Sequence, residues 1–499
     1  MVDQYLTDIA IGARSTTRHL IAEVAREIKR RHNCRIHLYA NGAQELAYYN
    51  KMNDGVYDTV NNASSLISHA FDKGLDEEEV MARAREYEDL IGYTINRILV
   101  PDRHYGRGFC LGGFYHPRSR QSTITYVQAV NAYCKGLEYW KNEIESKNIK
   151  LFLDGPRESA YVTHALNVPS RVLVGSRYKN YQYWAWNEMY ESPEIQEGYA
   201  NSDLNEPVDL DEPYFAHLAA RNTFESNFAL RVMVKRMARE VAQYAYWHLR
   251  GYEKAKGYYL SENLMFFYRV WRDYRRMRKL DIKKLSDLDG KRFVYYPLHI
   301  EPETALHGIS PECFDQLGVI ATIARDLPAD TLLAVKEPYG MIGRRPDHFY
   351  RQLKDFKNVV LLDPWEIGIR CNQTASVVFT ICGTSGIEAL AAGKPVISFG
   401  QHNIYNRNYG VQVIDSMLDI RPQIEKALGG HFDQMQMKIH ANRLLQSIID
   451  CSFDLGDFDF INIDKFDPQI AKGAVDKLMV SLEKNHLFED RARNFAEAV

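Results

Sequence analysis

The chain lacks the features that would place it in several large classes. Its seven cysteines, at positions 34, 110, 134, 313, 371, 382 and 451, are scattered over 499 residues and form no Cys-x-x-Cys. That spacing excludes a zinc finger and a disulfide framework and points to a reducing compartment. No apolar run approaches the ~18 residues of a membrane-spanning helix. The opening Met1-Val2-Asp3-Gln4-Tyr5 lacks the basic and then apolar character of a signal peptide. Net charge is only -3, which argues against bulk nucleic-acid binding while leaving room for a local basic patch. There is no Walker A motif, and no Gly-x-Gly-x-x-Gly follows a strand, so P-loop kinase and dinucleotide-binding readings are weak. What remains is 45% hydrophobic and 25% charged, the composition of a globular protein. It is too long for one core, so two domains with a helical part between them are expected.

The most informative stretch is Gly383-Thr384-Ser385-Gly386-Ile387-Glu388-Ala389-Leu390, followed by Gly393-Lys394-Pro395-Val396-Ile397-Ser398-Phe399-Gly400. It reads strand, tight polar turn, helix, strand, with Val377–Ile381 as the apolar strand before it. Gly383 and Gly386 allow a sharp turn and a close ligand approach. Thr384 and Ser385 sit where a helix begins, with hydroxyls and backbone N–H groups available to an anion. Glu388, one turn later, is placed to hold a ribose hydroxyl. The competing reading is an ordinary helix N-cap and a common Gly-Lys-Pro turn.

The rest of the C-terminal half has the same rhythm. Strands are expected at 293–298, 332–337, 359–363, 377–381 and 395–400, with helices at 312–326, 347–356 and 385–392, a doubly wound α/β pattern. In such sheets ligands bind beyond the carboxyl ends of strands. Those ends carry His299, Glu301 and Glu303; Lys336, Glu337, Gly340, Arg344 and Arg345; Asp363; the 383–385 turn; and Gly400, His402 and Tyr405. Lys336 or Arg344 would neutralise phosphate, Thr384 and Ser385 would hold its oxygens, and His299 would donate a proton to the leaving phosphate. Against this stand a Lys336–Glu337 surface pair, a turn capped by Arg344-Arg345, and a core histidine at 299.

The N-terminal half alternates helix and strand as well, with strands at 36–40, 150–154 and 171–176 and helices at 15–31, 76–97 and 122–147. Its candidates for a general base and acceptor contacts are Asp102 with Arg103, and Asp154 and Glu158 with Arg157; interdomain salt bridges are the equal alternative. Arg14, His116 and Arg177 are lesser ones. Residues 180–230 read as a loop-rich connection. From 231 to 284 the pattern is helical, most basic over Tyr268–Lys279. Contact with anionic headgroups is one reading there, and a solvated face with interdomain packing is the favoured one. Closing helices are expected at 433–450 and 469–483.

Phe293-Val294-Tyr295-Tyr296-Pro297-Leu298-His299-Ile300-Glu301-Pro302-Glu303 resembles the opening motif of bacterial capsule and surface-polysaccharide biosynthesis proteins. Val335-Lys336-Glu337, Gly343-Arg344-Arg345-Pro346, Asn358-Val359 and the 383–396 stretch follow in that family's order, over about residues 290–405. The group is similar to capsule-type transferases of Kdo and related nonulosonic acids. That resemblance implies a GT-B architecture, two Rossmann-like domains facing a cleft, with the donor nucleotide in the C-terminal one. It also implies a glycosyltransferase using an activated sugar, a CMP-sugar by the resemblance, with no metal and no cofactor beyond that co-substrate. One departure stands out. The family commonly has Lys-Glu-His-Pro where this chain has Lys336-Glu337-Pro338-Tyr339, so the histidine for donor phosphate is missing.

These readings divide the chain into an acceptor domain (1–185), a connecting region (186–290), a donor domain (291–475) and a helical tail (476–499). The expected partners are a nucleotide-sugar donor and a saccharide or glycolipid acceptor, with no nucleic acid. The expected location is the cytoplasm, with peripheral association at the inner membrane as one reading. A sugar-nucleotide epimerase of the same fold, or an inactive nucleotide-binding scaffold of the polysaccharide machinery, is the alternative function.

Overall fold

The computed structural model of the protein describes residues 2–13, 18–63, 69–107, 123–208, 226–251, 259–301, 305–345, 347–458 and 465–485. The chain forms two compact units. The first comprises Met1–Leu99, Thr123–Ser202 and Leu445–Val499, and the second Val100–Ser122 and Asp203–Leu444.

The first unit is built on a seven-stranded sheet: β1 (Asp8–Gly12), β2 (Arg35–Ala40), β3 (Thr59–Asn62), β4 (Leu151–Leu153), β5 (Ser170–Gly175), β6 (Tyr181–Ala185) and β13 (Phe453–Asp454). The order is β13-β6-β5-β4-β1-β2-β3. β5-β4-β1-β2-β3 is parallel, and β6 and β13 extend it antiparallel. β1 is buried along its whole length, as a parallel strand covered on both faces must be. Helix Arg18–Arg31 buries Leu20, Ile21, Val24, Ala25 and Ile28, the stripe that a 3.6-residue period lays on one face. Helix Gln469–Glu483 packs against it.

The second unit carries β7 (Phe293–Pro297), β8 (Leu332–Lys336), β9 (Val359–Leu361), β10 (Val378–Thr380), β11 (Val396–Ser398) and β12 (Val411–Val413). All six are parallel. Their order is β12-β11-β10-β7-β8-β9. Numbered within the unit, that is 6-5-4-1-2-3, the doubly wound arrangement whose direction reverses between its first and fourth strands. Both units therefore have the expected α/β, Rossmann-like plan.

The boundaries differ from the sequence division. Helix Pro193–Asn201 and the segment from Leu445 onward belong to the first unit, while helices Leu230–Leu249 and Leu260–Met277 belong to the second. The cause is long-range. Trp184 Nε1 donates to the Ala474 carbonyl at 2.8 Å, and β13 pairs with β6. These contacts join residues almost 300 positions apart, which no local pattern reveals.

Candidate active site

The strand order reverses between β7 and β10, and their carboxyl ends are tied together. His299, just beyond β7, accepts the Cys382 N–H at Nε2, 3.0 Å away. Thr380 Oγ1 lies 3.5 Å from the same nitrogen and accepts the Gly383 N–H at 3.0 Å. A Cβ on Gly383 would stand 3.0 Å from Thr380 Oγ1 and 3.3 Å from both His299 Nε2 and Ser385 Oγ. His299, Gly383 and Ser385 are thus one packed group. Because Nε2 accepts a hydrogen bond, the neutral ring carries its proton on Nδ1. His299 is buried, and proton donation from it falls to Nδ1.

Thr384 begins helix Ser385–Ala391 with αR backbone angles and no side-chain cap. Its hydroxyl instead supports Glu388. Gly386 answers to a neighbour in the protein rather than to a ligand. A Cβ there would meet the Tyr405 ring at 2.5 Å, and the Tyr405 hydroxyl donates to the Gly383 carbonyl at 3.0 Å.

Lys336 ends β8 beside this turn. It is buried, with Nζ 5.1 Å from the centre of the Tyr339 ring and 3.2 Å from the Glu337 carbonyl to which it donates. Burial lowers its pKa from the ordinary lysine value. Glu388 receives a 2.7 Å hydrogen bond from Asn372 Nδ2. Burial raises the Glu388 carboxyl to about 7, against the opposing pull of Asn372, Lys336 and Thr384. Lys336 and Glu388 are therefore electrostatic neighbours, a cation and a near-neutral acid under a polar turn.

This arrangement costs stability. A carboxyl whose folded pKa lies above its ordinary 4.5 holds its proton more tightly when folded. The penalty is absent below about pH 4.5 and complete above about pH 7. Replacing Glu388→Gln is accordingly expected to change little at pH 5 and to stabilise the fold by up to about 3 kcal/mol at pH 8, read from denaturant titrations at the two pH values. Groups held against stability in this way cluster at functional sites.

The second arginine of the 344–345 pair points to a different role from phosphate binding. Arg345 is 0% exposed. It donates to Glu301 Oε2 at 2.7 Å and to Glu337 Oε2 at 2.9 Å, and also to the His299 carbonyl. Tyr350 adds a 2.7 Å bond to Glu337. Gln316 accepts the His299 N–H at 2.7 Å and donates to the His299 carbonyl at 3.2 Å. Burial opposes the Arg345 charge, but Glu301 and Glu337 outweigh it and raise its pKa. This cluster fixes the loop that carries His299. Glu337 is 1% exposed, which corrects the surface-pair reading of Lys336–Glu337. Arg344 is exposed, with Arg236 in electrostatic range. Asp363 accepts the Trp365 N–H at 3.0 Å, closing its own turn. Glu303, Arg14 and His116 lie outside the described residues.

The acid–base candidates of the N-terminal half fall in different units. Asp102 belongs to the second unit and accepts the His104 and Tyr105 N–H groups at 2.7 and 2.8 Å. Asp154, in the first unit, is buried with φ 55° and accepts the Leu173 N–H at 3.3 Å. Glu158 is half-buried in the first turn of helix Arg157–Ala165. Asn372 and Gln316 went unnoticed in the sequence. Single amides on helices carry no local signal, and only the fold shows which carboxylate or backbone they reach.

Residues 197–411 match the model of a family described as capsule polysaccharide biosynthesis protein. Among solved structures, the chain is similar to a glycosyltransferase from Rickettsia africae (8% identity, 96% of this chain and 99% of that one, TM-score 0.29). It is also similar to the beta-Kdo 2,7-transferase of Thermosulfurimonas dismutans (14%, 70% and 90%, TM-score 0.31). A third is the UDP-GlcNAc 2-epimerase of Methanocaldococcus jannaschii (10%, 89% and 99%, TM-score 0.24). Among curated proteins none matches.

Proposed function

From the match of residues 197–411 to the capsule polysaccharide biosynthesis protein family, we propose that the chain is a glycosyltransferase of the GT-B plan. It moves a sugar, Kdo or another nonulosonic acid, from a nucleotide-activated donor to a growing surface polysaccharide or glycolipid. One observation carries the reading: Lys336, Glu388 and the 383–385 turn meet at the strand-order reversal of the second unit, where doubly wound sheets bind ligands.

In this reading the donor phosphate faces the Lys336 ammonium and the hydroxyls of Thr384 and Ser385, and the ribose hydroxyls face Glu388. Pro338 stands at the position of the family's missing histidine, and the next residue is Tyr339. Its ring lies against Lys336 and its hydroxyl is directed to the Trp365 and Glu366 carbonyls, both at 3.4 Å. Phosphate charge is then met by Lys336 without a metal. The acceptor hydroxyl attacks the anomeric carbon, the bond from that carbon to the phosphate oxygen breaks, and the phosphate departs with the electron pair. A general base takes the hydroxyl proton, with Asp102, Asp154 and Glu158 as its candidates. The free thiols of Cys34, Cys134, Cys313, Cys371, Cys382 and Cys451 suit the cytoplasm.

Calorimetric titration with CMP, UDP and GDP tests the site. At least one is expected to bind, and Glu388→Ala should weaken it about 10- to 100-fold, the loss of a hydrogen bond to a charged group. If no nucleotide binds or raises the melting temperature at millimolar concentration, the transferase reading fails.

A further inference from the structure

Helix Leu230–Leu249 buries none of its side chains. It packs on helix Leu260–Met277, and its half-buried positions 233, 237, 240, 244 and 247 recur at helical spacing on one face. The adjoining face is apolar too. Leu230, Val234, Ala238, Val241, Ala245 and Leu249 follow one another at steps of three or four and are all exposed, Leu249 to 87% and Val234 to 54%. Isolated exposed apolar residues need no explanation. A continuous row about 30 Å long, the length of twenty helical residues, does need one.

Charge identifies what covers the row. Arg231, Lys235, Arg236, Arg239 and Arg250 lie along the same helix and are exposed, with Glu240 as the sole acid in 230–250. The neighbouring helix and its end add Arg269, Arg272, Arg275, Arg276, Arg278 and Lys279. In a chain of net charge -3, this hairpin is a concentrated cation. A second copy of the chain laid on the row would oppose like charges. A nucleic acid would meet the bases but gives no reason for exposed leucine and valine. An anionic bilayer answers both features. Among the described residues no helix is long and apolar enough to cross a membrane, so the helix lies along the surface.

The hairpin is firmly attached to the second unit. Within it, Phe228 stacks on Tyr274 at 4.1 Å. Gly343, at φ 74°, sits so close beneath helix Leu260–Met277 that a Cβ would come 2.5 Å from the Val270 carbonyl. Arg345 of the buried cluster is two residues further on.

We propose that helix Leu230–Leu249 is a membrane-docking element. Its outer apolar row enters the acyl boundary of an anionic lipid bilayer, and Arg231, Lys235, Arg239 and Arg250 engage headgroup phosphates. The proposal is independent of the sugar chemistry, because it concerns a surface outside the candidate site.

Co-sedimentation of the full chain with vesicles tests it. Vesicles of about one part phosphatidylglycerol to three of phosphatidylcholine should bind the protein at least about tenfold more tightly than phosphatidylcholine alone, and binding should weaken as salt is raised. The double variant Val234→Glu with Val241→Glu should lose at least about tenfold in vesicle affinity with an unchanged melting temperature and nucleotide titration, since both side chains are exposed. The proposal is overturned if the wild type ignores phosphatidylglycerol vesicles, or if the double variant binds them equally well. A wild-type dimer that the double variant converts to a monomer would assign the row to a second copy instead.

Discussion

Truncating Arg345→Ala is expected to lower the stability of the protein by about 3–5 kcal/mol, the cost of stranding buried charge when one partner is removed. Two carboxylates depend on this guanidinium. Glu301 and Glu337 are 5% and 1% exposed, and the chain places no other cation within ion-pair distance of either among the described residues. Denaturant titration should show the drop. The loop bearing His299 should loosen as well, because Arg345 also holds the His299 carbonyl, and amide exchange there should quicken. The informative control neutralises all three charges. Arg345→Met with Glu301→Gln and Glu337→Gln leaves no unpaired ion, and the amide oxygen introduced by Glu337→Gln can still accept from Tyr350, so most of the lost stability should return. If the single variant were as stable as the wild type, the cluster would not be what holds the β7 rim.

The second large effect is on turnover. Lys336→Ala should slow sugar transfer by about 100-fold, the usual loss when one preorganised group facing developing charge is removed. A reduced rate alone would not tell a phosphate contact from a structural lysine, so the pH profile is the sharper readout. Lys336 lowers the Glu388 pKa, which burial nevertheless raises to about 7. A ribose hydroxyl donating to Glu388 favours the carboxylate. Nucleotide affinity in the wild type should therefore increase as pH rises through about 7 and level off above it. In the Lys336→Ala protein that midpoint should move upward, since the carboxylate has lost its counter-charge. An unmoved midpoint would place Lys336 outside the nucleotide site.

The sheet of the second unit was largely legible in the sequence because its strands are short runs of buried, β-branched and aromatic residues between turn signals. Phe293–Pro297, Leu332–Lys336 and Val378–Thr380 all lie within expected strands. β1 of the first unit was not, although it is central. Asp8–Gly12 is five residues long, opens on an acid, and has no turn signal of the kind that marks the later strands. The site divides in the same way. Local order showed that Lys336, the 383–385 turn and Glu388 share a rim. It did not show which of two adjacent arginines turns inward, because that depends on the left-handed turn at Gly343 and the helix above it. Nor did it show that Gly386 makes room for Tyr405. Both answers depend on residues from distant segments, and sequence spacing carries no record of them.

The division of the chain between the two units has a bearing on biogenesis. The second unit is drawn mainly from one continuous span, Asp203–Leu444, whereas the first takes its outer strand β13 and the helix Gln469–Glu483 from beyond residue 445. During synthesis the nascent chain emerges amino-terminus first. The half translated earliest thus lacks its outer strand, and helix Arg18–Arg31 lacks the helix that packs on it, until nearly the whole polypeptide has left the ribosome. The half translated later has all its strands in hand first, so the order of completion is the reverse of the order of translation.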